Sequence, residues 1–176
     1  MEDELNRTLE AIQFAIQMEI DGREYYQRAS RESGNKVGAE LFEWLAAEED
    51  KHRQRFEHIY YSIKREKTWP EVSTQPRKGE VLNTLFSEAM KAVGSDVKMA
   101  DAELDAIAEA MEMETKTHEF YKSQGEKAVY DAEKKLYTSL AAEERGHYLA
   151  LVDYREYLID PSGWFRKMEH PTLDGG

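Results

Sequence analysis

The chain repeats itself. Glu19, Glu49 and His52 are each followed, 95 positions later, by a residue of the same type: Glu114, Glu144 and His147. The same offset pairs Leu9 with Leu104, Ala11 with Ala106, Ile12 with Ile107, Met18 with Met113 and Tyr26 with Tyr121. It also lays Leu45-Ala46-Ala47-Glu48-Glu49 on Leu140-Ala141-Ala142-Glu143-Glu144. A common apolar rhythm can align apolar letters by chance, but not the polar letters inside that rhythm. The chain is therefore read as an internal duplication, with one copy over residues 5–63 and the other over 100–158.

Each copy carries two segments of helical periodicity. Leu5, Leu9, Ile12, Ile16, Glu19, Arg23 and Tyr26 step by three and four, as do Leu41, Leu45, Glu49, His52, Phe56, Ile59 and Ile63. Ala100, Leu104, Ile107, Met111, Glu114, His118 and Tyr121 form the third stripe. Leu136, Leu140, Glu144, His147, Leu151, Tyr154 and Leu158 form the fourth. Such stripes turn one face of each helix toward its neighbours. Ser33-Gly34-Asn35 breaks the first pair of helices and Gly125 lies near the break of the second, so each copy reads as a helical hairpin. Between the hairpins runs a crossover over residues 68–96, with Pro70 and Pro76 and then an expected short amphipathic helix from Glu80 to Val93. The expected fold is all-α: a four-helix bundle (residues 1–160) of two hairpins with a long, ferritin-like crossover, followed by an extended or loosely docked tail over 161–176.

The six repeated acids and imidazoles lie on the same stripes as the leucines and isoleucines. Glu49/His52 and Glu144/His147 are i, i+3 pairs, about 4.5 Å apart along a helix axis, so each pair aims a carboxylate and an imidazole at one region. One Glu-x-x-His on a helix is usually a solvated pair. Two such pairs, two further stripe glutamates and one offset for all six are not explained that way. Four carboxylates inside a bundle repel one another and lose their hydration, at several kcal/mol per ion. Two divalent cations would neutralise them and leave the histidines free to donate lone pairs. Mixed oxygen and imidazole ligands suit iron or manganese, with zinc as a substitute.

Other residues carry weaker signals. Tyr26 and Tyr121 follow Glu19 and Glu114 by two helical turns, near enough to donate to a ligand carboxylate. Aromatic packing explains them as well. His118 is read as a flanking residue, Glu48 and Glu143 as facing solvent or a helix neighbour, and Glu24 and Glu119 as off the stripe in a salt bridge. Met18, Met111 and Met113 are read as packing residues.

Composition narrows the function classes. A net charge of −12 argues against nucleic acid and against anionic membrane surfaces. The absence of cysteine removes disulfides, thiol nucleophiles and iron–sulfur ligation. With no signal-peptide pattern at the start and no run of about 20 apolar residues, the expected location is the cytoplasm.

Taken together, Met18-Glu19 with Tyr25-Tyr26, Leu45-Ala46-Ala47-Glu48-Glu49 with His52, Glu114 with Phe120-Tyr121, and Leu140-Ala141-Ala142-Glu143-Glu144 with His147 resemble the rubrerythrin branch of the ferritin-like di-iron superfamily. That resemblance implies two iron ions per chain, bridged by Glu49 and Glu144, with Glu19 and Glu114 terminal and one histidine per iron. It also implies a homodimer, and hydrogen peroxide or oxygen as oxidant. The pattern departs from the family at Thr117, where a further ligand glutamate is usual, and the resulting six-residue set is similar to that of bacterioferritin-type ferroxidases. The cysteine-ligated rubredoxin-like domain of the family has no counterpart in this composition, so a separate donor such as a rubredoxin is expected. The expected activity is reduction of hydrogen peroxide to water. The alternatives are a ferroxidase or iron-handling role, or a metal-stabilised interaction module without turnover.

Overall fold

The computed structural model describes residues 2–70 and 101–169. It has five helices and no strand among the described residues: α1 (Glu2–Glu32), α2 (Lys36–Glu66), α3 (Asp101–Lys127), α4 (Asp131–Ile159) and α5 (Pro161–Glu169). α1 packs along α2 and α3 along α4, and the hairpins join through α1 with α3 and α2 with α4. The fold is the all-α ferritin-like bundle that the periodicity predicts. The crossover helix expected over Glu80–Val93 lies outside the described residues.

Local chemistry sets the helix ends. Asn35 has extended backbone and its side chain accepts from the Val37 amide at 2.8 Å, which caps α2 and closes the first hairpin. In the second hairpin α3 runs through Gly125 and ends two residues later. A β-carbon at Gly125 would stand 3.5 Å from Tyr137 Cβ, an ordinary van der Waals contact, so the α3–α4 packing does not require glycine there.

The apolar core is divided in two. Tyr26, Leu41, Leu45, Ile107, Leu151 and Leu158 belong to one buried cluster. Ile12, Phe56, Ile63, Tyr121, Leu136 and Leu140 belong to the other. On every long helix the acid and imidazole positions fall between the residues of the two clusters. The 95-residue offset exchanges the clusters: Tyr26 maps onto Tyr121, Leu41 onto Leu136 and Ile12 onto Ile107. A pseudo-two-fold thus relates the hairpins, with the charged layer at its centre.

The first nine residues of the tail depart from the expectation of an extended or loosely docked segment, because they form α5, which packs on α4. Pro161 opens the helix, where its missing N–H costs nothing, and the Asp160 carboxylate accepts from the Gly163 amide at 2.9 Å. Trp164 is buried, donates from Nε1 to Asp153 at 2.9 Å, and meets Tyr157 edge-on. The repeat offset reaches it as well: Trp164 lies 95 residues after Trp69, which is buried in the opposite cluster. Trp164→Ala is expected to lower unfolding free energy by ~3 kcal/mol through the cavity it leaves. Chemical denaturation checks the loss, and the stoichiometry of bound metal should not change with it.

Candidate metal centre

All six repeated residues are buried in the middle layer. Glu19 comes from α1, Glu49 and His52 from α2, Glu114 from α3, and Glu144 and His147 from α4. They form two groups whose ligating atoms lie within 4.8 Å of one another: Glu19, Glu49, His52 and Glu144, then Glu49, Glu114, Glu144 and His147. Glu49 and Glu144 belong to both groups. The imidazole rings stack with centroids 5.6 Å apart.

In each histidine, Nδ1 faces the carboxylates. His52 Nδ1 lies 3.0 Å from Glu144 Oε1 and 3.5 Å from Glu19 Oε2. His147 Nδ1 lies 3.2 Å from Glu144 Oε2, 3.4 Å from Glu49 Oε1 and 3.5 Å from Glu114 Oε2. Yet His52 Nδ1 and Glu144 Oε1 are both without a hydrogen bond, as are Glu19 Oε2, Glu49 Oε1 and Glu114 Oε2. A buried polar atom without a partner costs about 1–3 kcal/mol, and more when charged. Five such atoms, drawn from all four long helices and pointed at one layer, fit a pair of cations. A divalent ion takes lone pairs from several directions and needs no donor angle.

The outer oxygens are occupied. Tyr26 in α1 donates its hydroxyl to Glu114 Oε1 in α3, and Tyr121 in α3 donates to Glu19 Oε1 in α1. Each tyrosine therefore reaches across to the opposite hairpin, holds one oxygen of a glutamate and leaves the other facing the centre. Burial, then the neighbouring carboxylates, pushes the pKa of both phenols well above its ordinary value, so both remain donors. Tyr121→Phe is expected to weaken one ion about 10–100-fold by freeing Glu19, and Tyr26→Phe to weaken the other through Glu114. Mn(II) titration with a competing chelator measures both.

Electrostatics distributes protons over the cluster in a way that a metal would reverse. Burial and the charges of Glu19 and Glu144 push Glu49 well above the ordinary carboxylate value. Glu114 is also raised, by burial first, with His147 offsetting part of the shift. Glu144 goes the other way. Burial would raise it, but both imidazoles lie closer to it than to any other carboxylate of the six, and they hold it low. Burial opposes protonation of His52 and His147, and the surrounding carboxylates overcome it. Two divalent ions would displace the protons on the histidines and on Glu49 and Glu114.

One residue does more than the sequence reading assigned it. Glu143, expected to face solvent or a helix neighbour, turns to the neighbouring helix and reaches a centre residue: its Oε2 lies 3.2 Å from His52 Nε2, across the α2–α4 contact. Arg55 and Ser139 donate to its Oε1 at 3.2 and 3.1 Å. Burial would raise its pKa, but His52 and Arg55 hold it down to about 2. A charged Glu143 keeps the His52 proton on Nε2 and leaves the Nδ1 lone pair for an ion. On the other side, the Trp44 and His147 rings stand perpendicular with their centroids 5.4 Å apart. Glu48 is buried and pairs with Lys51 on its own helix. His118 stands outside the cluster, its Nδ1–H donating to the Ala141 carbonyl at 2.7 Å, and Glu24 and Glu119 are exposed. Met111 and Met113 pack against the core, and Met18 and Met113 also line a cavity beside the centre.

No helix among the described residues is long and apolar enough to cross a membrane. No curated protein matches the chain. A solved structure of a hypothetical protein from Pyrococcus furiosus is similar at 26% identity and a TM-score of 0.62, over 86% of this chain and 89% of that one. The rubrerythrin family model matches residues 10–153, which contain all six centre residues and both tyrosines. With that match and this buried carboxylate and imidazole cluster, the chain belongs to the rubrerythrin family, within the ferritin-like di-iron carboxylate superfamily.

Proposed function

We propose that the protein is a di-iron oxidoreductase that reduces hydrogen peroxide to water with electrons from an external donor protein, such as a rubredoxin. The observation that carries this reading is the pair of four-residue groups sharing Glu49 and Glu144, with five buried donor atoms otherwise unsatisfied. Glu19 and His52 would hold one ion, Glu114 and His147 the other, and Glu49 and Glu144 both. Two bound ferrous ions supply one electron each, the number that cleavage of an O–O bond needs. Apolar clusters close the layer above and below. Tyr26 and Tyr121 fix the terminal glutamates, and the Tyr26 hydroxyl keeps a proton beside Glu114.

The test is anaerobic stopped-flow mixing of ferrous protein with peroxide or with oxygen. Oxidation by peroxide is expected to be faster at equal concentration, and comparable or slower oxidation would remove the peroxidase reading. The six-residue set also fits iron oxidation, with iron as substrate. Turnover of more than two ferrous ions per chain would favour that role.

A further inference from the structure

A cavity of about 150 Å³ lies against one side of the centre, between α1 and α3. Glu49 and Glu114 form its inner end, and the exposed Asp21 and Lys116 stand at its mouth. Met18 and its repeat mate Met113 form the walls with the Tyr26 ring, while Gly22 and Thr117 leave the space open. A β-carbon at Gly22 would come 3.1 Å from Glu49 Oε2, so any side chain there would both press on a shared carboxylate and fill the cavity.

The volume is more than hydrogen peroxide needs. A water occupies ~30 Å³ of liquid, and an apolar cavity of ~150 Å³ accepts a molecule the size of benzene. The walls are mostly thioether, aromatic ring and methyl, suited to a compact apolar group. The inner end consists of the carboxyl groups of Glu49 and Glu114, which offer a polar surface to a polar head. The occupant that meets both conditions beside a peroxide-reducing centre is a molecule with an apolar body and a terminal O–O group. We propose that this cavity seats the organic group of a small alkyl hydroperoxide, making organic hydroperoxides substrates alongside hydrogen peroxide. The proposal rests on the peroxidase reading. In the reaction the O–O bond breaks, one oxygen staying on carbon as an alcohol and the other leaving as water. Two electrons come from two ferrous ions, which become ferric, and two protons come from solvent.

Two measurements test it. Zinc-loaded protein, which is redox-inert and diamagnetic, is labelled with carbon-13 at the methionine methyls and titrated with tert-butanol, the alcohol product. The Met18 and Met113 signals are expected to shift saturably, with Kd on the order of millimolar for so small a ligand, while Met111 does not move. Thr117→Phe is expected to abolish those shifts in the zinc-loaded protein, and its iron-loaded form supplies the rates. It should also lower the ratio of tert-butyl hydroperoxide to hydrogen peroxide oxidation rates at least ~10-fold, since filling the cavity removes the seat for the organic group. Met18→Phe, from the facing helix, fills the same space and should act alike should the first variant fail to fold. Methyl signals that ignore tert-butanol in a protein oxidised by hydrogen peroxide would overturn this proposal alone, as would an unchanged rate ratio in the filled variants. Ferrous protein inert to both peroxides would overturn the peroxidase reading and this proposal with it.

Discussion

Glu144→Ala is expected to leave the chain unable to hold either of the two ions that the unaltered centre is expected to bind. Glu144 belongs to both ligand groups, and its two oxygens lie 3.0 and 3.2 Å from the Nδ1 atoms of His52 and His147. Removing it takes one ligand from each ion at once and one negative charge from the pair. The loss should exceed the ~10–100-fold weakening that follows from a residue supporting a ligand. Glu19→Ala is the control: Glu19 belongs to one group only, so that variant should keep one ion near normal affinity. Isothermal titration with Mn(II) and elemental analysis of protein grown with iron give the stoichiometries. Two ions retained in Glu144→Ala, at affinities within about tenfold of the unaltered chain, would show that Glu144 is not shared between the ions.

The bundle and its charged layer were legible in the sequence for one reason. Helix periodicity and the duplication both act on side chains of the same stripe, so the residues meeting at the centre carry both signals. Glu143 shows where that ends. On α4 it points well away from the Glu144 stripe, and it reaches His52 only because α2 lies alongside at a particular rotation. Spacing within one helix carries no information about that rotation. Glu103 and Glu133 were missed for a related reason. Buried Glu103 accepts from Ser33 at 2.7 Å and Tyr154 at 3.0 Å, and buried Glu133 accepts from Thr8 at 3.3 Å. In the repeat Glu103 corresponds to Thr8, and Glu133 to Gly38. Each carboxylate therefore stands opposite a small residue in the other copy, and identity matching passes over such a complementary exchange. At Gly38 a β-carbon would fall 2.2 Å from Glu103 Oε1, so the glycine makes the room that its partner carboxylate fills. α5 was missed because nine residues are too short for periodicity to register, although Asp160-Pro161 is a cap followed by a first-turn proline.

Chelating the ions is expected to lower Tm by roughly 10–20 °C near pH 8 and by less near pH 5.5. At free ion a hundredfold above Kd, each site contributes about 2.7 kcal/mol, and 1 kcal/mol moves Tm by ~2–4 °C in a chain of this size. The pH dependence follows from the protons that the ions displace. Without ions, Glu49 and Glu114 hold protons above their ordinary value of 4.5, and His52 and His147 above theirs of 6.5. A group with a raised folded value contributes stability fully below its unfolded value and loses it as pH rises through the folded one. All four contributions therefore decline from mildly acidic toward alkaline pH. Glu143 and Glu144 are shifted down, so their contribution is present above 4.5 and is lost only as pH falls through their folded values. They do not oppose the decline in this window. With ions bound, Nδ1 and the carboxylates are occupied by metal instead, and high pH removes the competing protons. The ion-free protein should therefore weaken with rising pH while the loaded protein gains relative to it. Scanning calorimetry at three pH values with and without chelator measures the gap. A gap that narrows as pH rises would mean that cations do not replace the protons of this layer, and that the buried acids and imidazoles are held together by their own ion pairs.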